Sequence, residues 1–187
     1  IAEPRPLFDP FDLRTKATRV PSGYRLNGVK SFVPAAGSAE LFIVGASLDG
    51  RPALFLVESD TRGLSVEADP GMGLRAAGMG RLILDEVSVP ATALLGEVEG
   101  DAAATDYANV VRLSRLGWAA LAAGTAKAML DYVIPYVNER EAFGEPISNR
   151  QAVAFMVATM ATEVDSIRLV MLRGASRAEQ GLSFARE

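Results

Sequence analysis

Arg140, Phe143 and Gln151 stand close together in the stretch E-R-E-A-F-G-E-P-I-S-N-R-Q, from Glu139 to Gln151. A guanidinium offers a bidentate cation, an aromatic ring offers a stacking face, and a carboxamide both donates and accepts hydrogen bonds. Those are the contacts a phosphorylated aromatic cofactor needs. The same residues also suit a purely structural αα-corner, with Arg140 resting on the negative end of a helix dipole.

Other groups carry weaker signals. Gly71-x-Gly73-x-x-Ala76 has the spacing of a dinucleotide fingerprint, which works only between a strand and a helix. Asp69-Pro70 precedes it and a strand pattern follows, so it reads as a glycine-rich β-connection. The acids Asp85 and Glu86, and Glu97 and Glu99, read as solvated turn charge rather than as acid–base groups. Arg112 and Arg115, one helical turn apart, make a cationic patch that suits a phosphate or carboxylate, or plain surface.

The chain of 187 residues contains no cysteine and no histidine, which removes thiolate nucleophiles, histidine bases, Ser-His triads and Cys/His metal sites. No metal site is expected. A net charge of −4 without a basic cluster argues against nucleic acid. The most apolar stretch, Gly117 to Ile134, is broken by Lys127 and Asp131, so no membrane span is expected. Hydrophobic content of 49% with 22% charged residues describes a globular protein, and the lack of cysteine fits a cytoplasmic one. Starting at Ile1 without a signal peptide, the sequence reads as a segment of something longer.

Two kinds of element must position the corner. Pro4, Pro6 and Pro10 make an irregular entry, and Asn27-Gly28 inside Tyr24–Val33 is a tight-turn signal that predicts a hairpin. Leu41–Leu48 and Pro52–Val57 flank Asp49-Gly50 as a second hairpin, and Leu64–Ala68 and Arg81–Val89 add two more strands. Short strands at regular spacing predict an antiparallel barrel or sandwich. Beyond Pro90 the pattern turns helical, with Asp101 as N-cap and Pro135 expected to kink the first helix. Gly117, Ala120, Gly124 and Ala128 form a small-residue ridge, and Met156, Met160, Ile167, Val170 and Met171 an apolar face of core-packing character. The expected class is α+β: an antiparallel β-barrel domain over 1–100, then part of an up-down helical bundle over 101–187. Two long helices are too few to close a bundle.

At the corner the sequence resembles the acyl-CoA dehydrogenase family, whose C-terminal domain carries R-x-x-F-G-x-x-I-x-x-x-Q; Arg140, Phe143, Gly144, Ile147 and Gln151 occupy those places. The likeness runs back along the chain. Glu3-Pro4 resembles the tail of a T-E-P segment, Tyr24–Lys30 the Y-x-L-N-G-x-K hairpin, and Met72–Arg75 the M-G-x-R turn. Asp85–Pro90 followed by Leu94-Leu95-Gly96 resembles the D-V-x-V-P-x-x-x-L-L-G exit from the middle domain.

The resemblance implies an FAD-dependent oxidoreductase that removes the α-proton of an acyl-CoA thioester with a carboxylate, the β-hydrogen leaving as hydride to the flavin. It implies a homo- or hetero-oligomer, dimer or tetramer, with an electron-acceptor protein as partner. By position, Arg140 would hold the FAD pyrophosphate of a neighbouring subunit, Phe143 would pack near the adenine-ribose end, and Gln151 would bond the same cofactor. Phe32, in the segment matching W-I-T, would stack on the flavin, and Arg115 would position substrate. Ser114 stands where some branches place a catalytic glutamate, and the more usual base is expected after Glu187; no catalytic residue is assigned within the chain. Ala2 replaces the T-E-P threonine, Phe8 lies near the place of a G-S-D serine, and Pro34 ends the W-I-T match. Two alternatives follow: a degenerate subunit that lends Arg140 and Gln151 to a partner's FAD, and a non-enzymatic β-barrel binding module.

Overall fold

The computed structural model describes residues 1–96 and 101–184, the side chains of 101–106 excepted. The chain forms two compact units, Ile1–Asn109 and Val110–Glu187.

The first unit is built on a six-stranded sheet. Its strands are β1 (Lys16–Val20), β2 (Gly23–Val33), β3 (Leu41–Leu48), β4 (Arg51–Glu58), β5 (Leu64–Ala68) and β6 (Gly80–Val89), in the spatial order β4-β3-β1-β2-β6-β5. The expected barrel is not formed, because β4 and β5 are the two edges and do not pair with each other. β5 is short and nearly all exposed, so it ends the sheet rather than carrying it round. The outer edge of β4 is instead met by the chain after β6, through a Phe55–Leu94 bridge and a Leu95 N–H to Leu54 carbonyl bond of 2.9 Å. The sheet is also not wholly antiparallel. β6 occupies the far side of β2, so β3 crosses to the free side of β1 and runs parallel to it.

Alternation along the strands builds the core. Phe42, Val44, Ala46 and Leu48 of β3 point inward with Leu26 of β2, Phe55 and Val57 of β4, and Leu82, Leu84, Val87 and Val89 of β6. On β6 the inward set changes parity between Leu84 and Val87, which a regular strand forbids. A bulge resolves it: Leu26 pairs with Val87 but Gly28 pairs with Leu84, so β6 carries one extra residue.

Asn27-Gly28 is therefore a bulge site and not the hairpin turn that the dipeptide predicts. Gly28 has φ +150°, and a Cβ there would lie 2.6 Å from the Thr15 Oγ1. The Asn27 side chain donates to Glu86 Oε1 at 2.6 Å and accepts from the Glu86 N–H at 2.9 Å. The true β1–β2 turn is Pro21-Ser22, with Val20 opposite Gly23. Asp49-Gly50 does form a hairpin, since Leu48 pairs with Arg51 and both turn residues have positive φ, 52° and 79°. Asp85 and Glu86 accordingly sit inside a strand rather than in a turn, and Glu86 is ion-paired to Arg25 at 2.9 Å.

The second unit holds most of α1 (Asp101–Glu139), which continues through Pro135, and α2 (Gln151–Glu179). Val111, Ala123, Leu130 and Val137 are the buried positions of α1 here, the last three spaced by seven. In α2 Val164 and Gly174 are buried, and Val157 and Met171 are half-buried. Gly117, Ala120, Gly124 and Ala128 are all exposed, as are Met156, Ile167 and Val170, while Met160 and Met171 are half-buried. Among the described residues no helix is long and apolar enough to cross a membrane.

Candidate cofactor-binding corner

The link between α1 and α2 is a miniature hairpin. The Arg140 N–H donates to the Tyr136 carbonyl at 2.8 Å to close the last helical turn. Then β7 (Glu141–Ala142) pairs with β8 (Glu145–Pro146), leaving Phe143-Gly144 as a two-residue loop. Both loop residues have positive φ, 58° and 84°, which a β-hairpin of this length requires and which makes Gly144 the natural second residue. The Arg140 carbonyl accepts the Ile147 N–H at 2.9 Å, and the Arg150 carbonyl accepts from Val153 and Ala154 at 3.0 Å, starting α2. Sequence reasoning foresees the turn but not its strand pairing, because two-residue strands leave no periodicity.

This backbone turns Phe143 outward, 95% exposed. The Arg150 guanidinium lies over its ring, 4.9 Å from the centroid, and donates to the Ala142 carbonyl at 3.3 Å. Glu145 is 4.0 Å from the same guanidinium and accepts from the Asn149 amide at 3.2 Å. The Arg140 side chain is exposed and makes no hydrogen bond or ion pair with a described residue. Gln151 is exposed in the first turn of α2. The corner thus offers an uncommitted guanidinium, a free aromatic face and a free carboxamide on a braced backbone, which fits a dinucleotide's phosphates and base.

The remaining candidates lie elsewhere. Arg115 is exposed on α1, 25 residues before Arg140 and so about 37 Å away along the helix at 1.5 Å per residue. It cannot share a small ligand with the corner. Arg112 is exposed beside it. Phe32 belongs to the first unit, in a second bulge where Lys30 pairs with Leu82 and Val33 with Gly80. There φ is +53° and the ring is 64% exposed. Gly71 and Gly73 precede a three-residue 3-10 turn, Arg75–Ala77, and not a helix, so no dinucleotide fingerprint exists there. Glu97 and Glu99 lie outside the described residues.

A polar centre in the first unit escaped the sequence reading. Glu3 and Lys30 form a buried ion pair at 2.9 Å. Glu3 also accepts the N–H groups of Thr15 at 2.8 Å and Arg14 at 2.9 Å, while Lys30 donates to the Ile1 carbonyl at 3.2 Å. Burial alone would raise the Glu3 pKa, but the bonds from Lys30, Thr15 and Arg14 outweigh it and bring it down to about 2. Burial lowers the Lys30 pKa against the opposing pull of Glu3. Tyr107, buried at the start of α1, donates to the Pro10 carbonyl at 2.6 Å and has its pKa pushed up by burial and then by Glu3 and Asp9. Glu3 and Lys30 each fall within a motif of the resemblance, the one signal that could have pointed to them.

Comparison with known proteins decides the family. Residues 1–87 match the acyl-CoA dehydrogenase middle domain and residues 107–186 the acyl-CoA dehydrogenase C-terminal domain. The chain belongs to the acyl-CoA dehydrogenase family. An acyl-CoA dehydrogenase of Bacillus subtilis is 34% identical, covering 100% of this chain and 50% of its own length. A glutaryl-CoA dehydrogenase of Mycobacterium smegmatis, solved with FADH2, superposes with a TM-score of 0.81 at 32% identity, over 97% of this chain and 47% of that one. The ChsE4–ChsE5 complex of Mycobacterium tuberculosis gives 0.78 at 29% identity, over 90% of this chain and 44% of that one. The chain spans about half the length of these relatives.

Proposed function

We propose that the protein is an FAD-dependent acyl-CoA dehydrogenase that introduces an α,β-double bond into an acyl-CoA thioester. Residues 1–100 form its middle domain and 101–187 the start of its helical domain. The observation that carries this reading is the corner, where Arg140 is exposed and makes no ion pair with a described residue, three residues before the exposed Phe143. Arg140 binds the FAD pyrophosphate, Phe143 packs on its adenine-ribose end and Gln151 hydrogen-bonds it, all for the cofactor of a neighbouring subunit in a dimer or tetramer. Phe32 stacks on the flavin ring, and Arg115 helps position the thioester. Bound FAD would supply the two-electron acceptor, which an acceptor protein reoxidises. The protein acts in the cytoplasm.

A second reading is favoured by Ala2 and Pro34. Neither has a side-chain donor, and the Ala2 carbonyl is occupied by the Ser31 N–H at 3.0 Å. On this reading the chain is a degenerate subunit of a hetero-oligomer that completes a partner's FAD site; the similar ChsE4–ChsE5 structure is likewise a complex of two named chains.

Purifying the full-length protein expressed alone, recording its flavin absorbance and assaying acyl-CoA desaturation with an artificial acceptor separates the two. Stoichiometric flavin with turnover overturns the degenerate subunit; absence of both, restored by a partner subunit, overturns the first reading. Arg140→Ala is expected to weaken FAD binding about tenfold to a hundredfold, the loss of a charge-assisted contact.

A further inference from the structure

Two arginines flank the corner and the structure treats them differently. Arg140 makes no side-chain bond with a described residue, whereas Arg150 is held at three points: the Phe143 ring at 4.9 Å, the Ala142 carbonyl at 3.3 Å and Glu145 at 4.0 Å. Phe143 needs such help. It sits at φ +58°, a conformation phenylalanine rarely adopts, and its ring is 95% exposed with no apolar packing to hold it. An unsupported ring at a hairpin tip would sample its rotamers freely, and a ligand would have to select one of them.

We propose that Arg150 is a positioning residue: from the start of α2 it braces the Phe143 ring and the Ala142 carbonyl so that the ring is presented in one orientation, leaving Arg140 as the cation that meets the ligand. The inference rests on the FAD-clasp reading of the corner. Its physical basis is pre-organisation. A cation over the ring face and a hydrogen bond to the preceding carbonyl restrict the loop before binding, and Glu145, which accepts from the Asn149 amide, steadies the guanidinium in turn. Planar Arg is suited to this stacking and lysine is not an equal substitute.

The test titrates FAD into apoprotein of the full-length assembly, following flavin fluorescence, for the wild type, Arg140→Ala, Arg150→Gln, Arg150→Lys, Phe143→Ala and the Arg150→Gln/Phe143→Ala double variant. Arg150→Gln is expected to raise the Kd about twofold to fivefold, in line with an exposed cation–π contact, with an unchanged Tm. Arg150→Lys should recover part of that loss, and the double variant should bind no worse than Phe143→Ala, because Arg150 acts through the ring. A wild-type Kd in Arg150→Gln, or strictly additive losses in the double variant, overturns the inference while leaving the clasp intact. If Phe143→Ala and Arg140→Ala both bind FAD as wild type, the clasp reading itself fails and takes the inference with it.

Discussion

The Glu3 carboxylate and the Lys30 ammonium meet at 2.9 Å with side chains only 3% and 1% exposed. The pair ties the entry segment to the middle of β2, and backbone N–H groups of Arg14 and Thr15 complete the shell of the carboxylate. Removing Lys30 leaves the buried Glu3 with only Arg5, 3.8 Å away, as counter-charge, and removing Glu3 takes from the buried Lys30 its carboxylate partner. Lys30→Met is expected to destabilise the full-length protein by about 3–5 kcal/mol in urea unfolding, and Glu3→Gln/Lys30→Met to recover most of it. A double variant as unstable as the single one would show that the pair's charges are not the source.

The same pair sets an acid limit. Glu3 titrates near pH 2 in the fold against an ordinary 4.5, so its contribution is complete above pH 4.5 and is lost as pH falls toward 2. Unfolding midpoints at pH 7, 4.5 and 3 should fall more steeply for wild type than for Glu3→Gln, and parallel slopes would contradict the assignment.

Phe32 occupies a strained place for an exposed ring, at φ +53° in a bulge of β2. Strain of about 1 kcal/mol or more at such a residue is tolerated where the side chain has a task. Phe32→Gly should leave Tm equal or higher while weakening flavin binding. A fall in both would mark Phe32 as structural.

Gly28 has no such freedom. With φ +150° and Thr15 Oγ1 2.6 Å from the place of a Cβ, Gly28→Ala should cost about 2 kcal/mol or more in urea unfolding. Retained stability would show that the bulge can relax.

Arg115 lies too far along α1 from the corner to touch the same end of a ligand. Arg115→Ala should therefore raise KM for the acyl-CoA about tenfold, as expected for one lost charge-assisted contact, with unchanged flavin content. Loss of flavin instead would place Arg115 at the cofactor.

Much of this architecture is legible in the residues alone. Leu41–Leu48 and Pro52–Val57 are strands on either side of Asp49-Gly50, as their short apolar runs and the turn dipeptide say they should be, and Arg140 to Gln151 is a turn between two helices. Asn27-Gly28 misled because the same dipeptide that closes a hairpin also serves a bulge, and the choice depends on Glu86, 59 residues away. The barrel failed for a related reason. Strand count and spacing say nothing about whether the first and last edges meet, which depends on β5 ending short and on Leu94 and Leu95 reaching β4.

The sequence by itself determined what acts over a few residues: which segments are strands or helices, that glycine follows Phe143, and that Arg140, Phe143 and Gln151 share one corner. Tertiary structure decided what depends on distant partners. It left the sheet open, turned Asn27-Gly28 into a bulge, buried Glu3 against Lys30, and engaged Arg150 on Phe143 while leaving Arg140 exposed. Local propensity is written in neighbouring residues, whereas pairing, burial and charge compensation depend on which atoms the completed fold brings together.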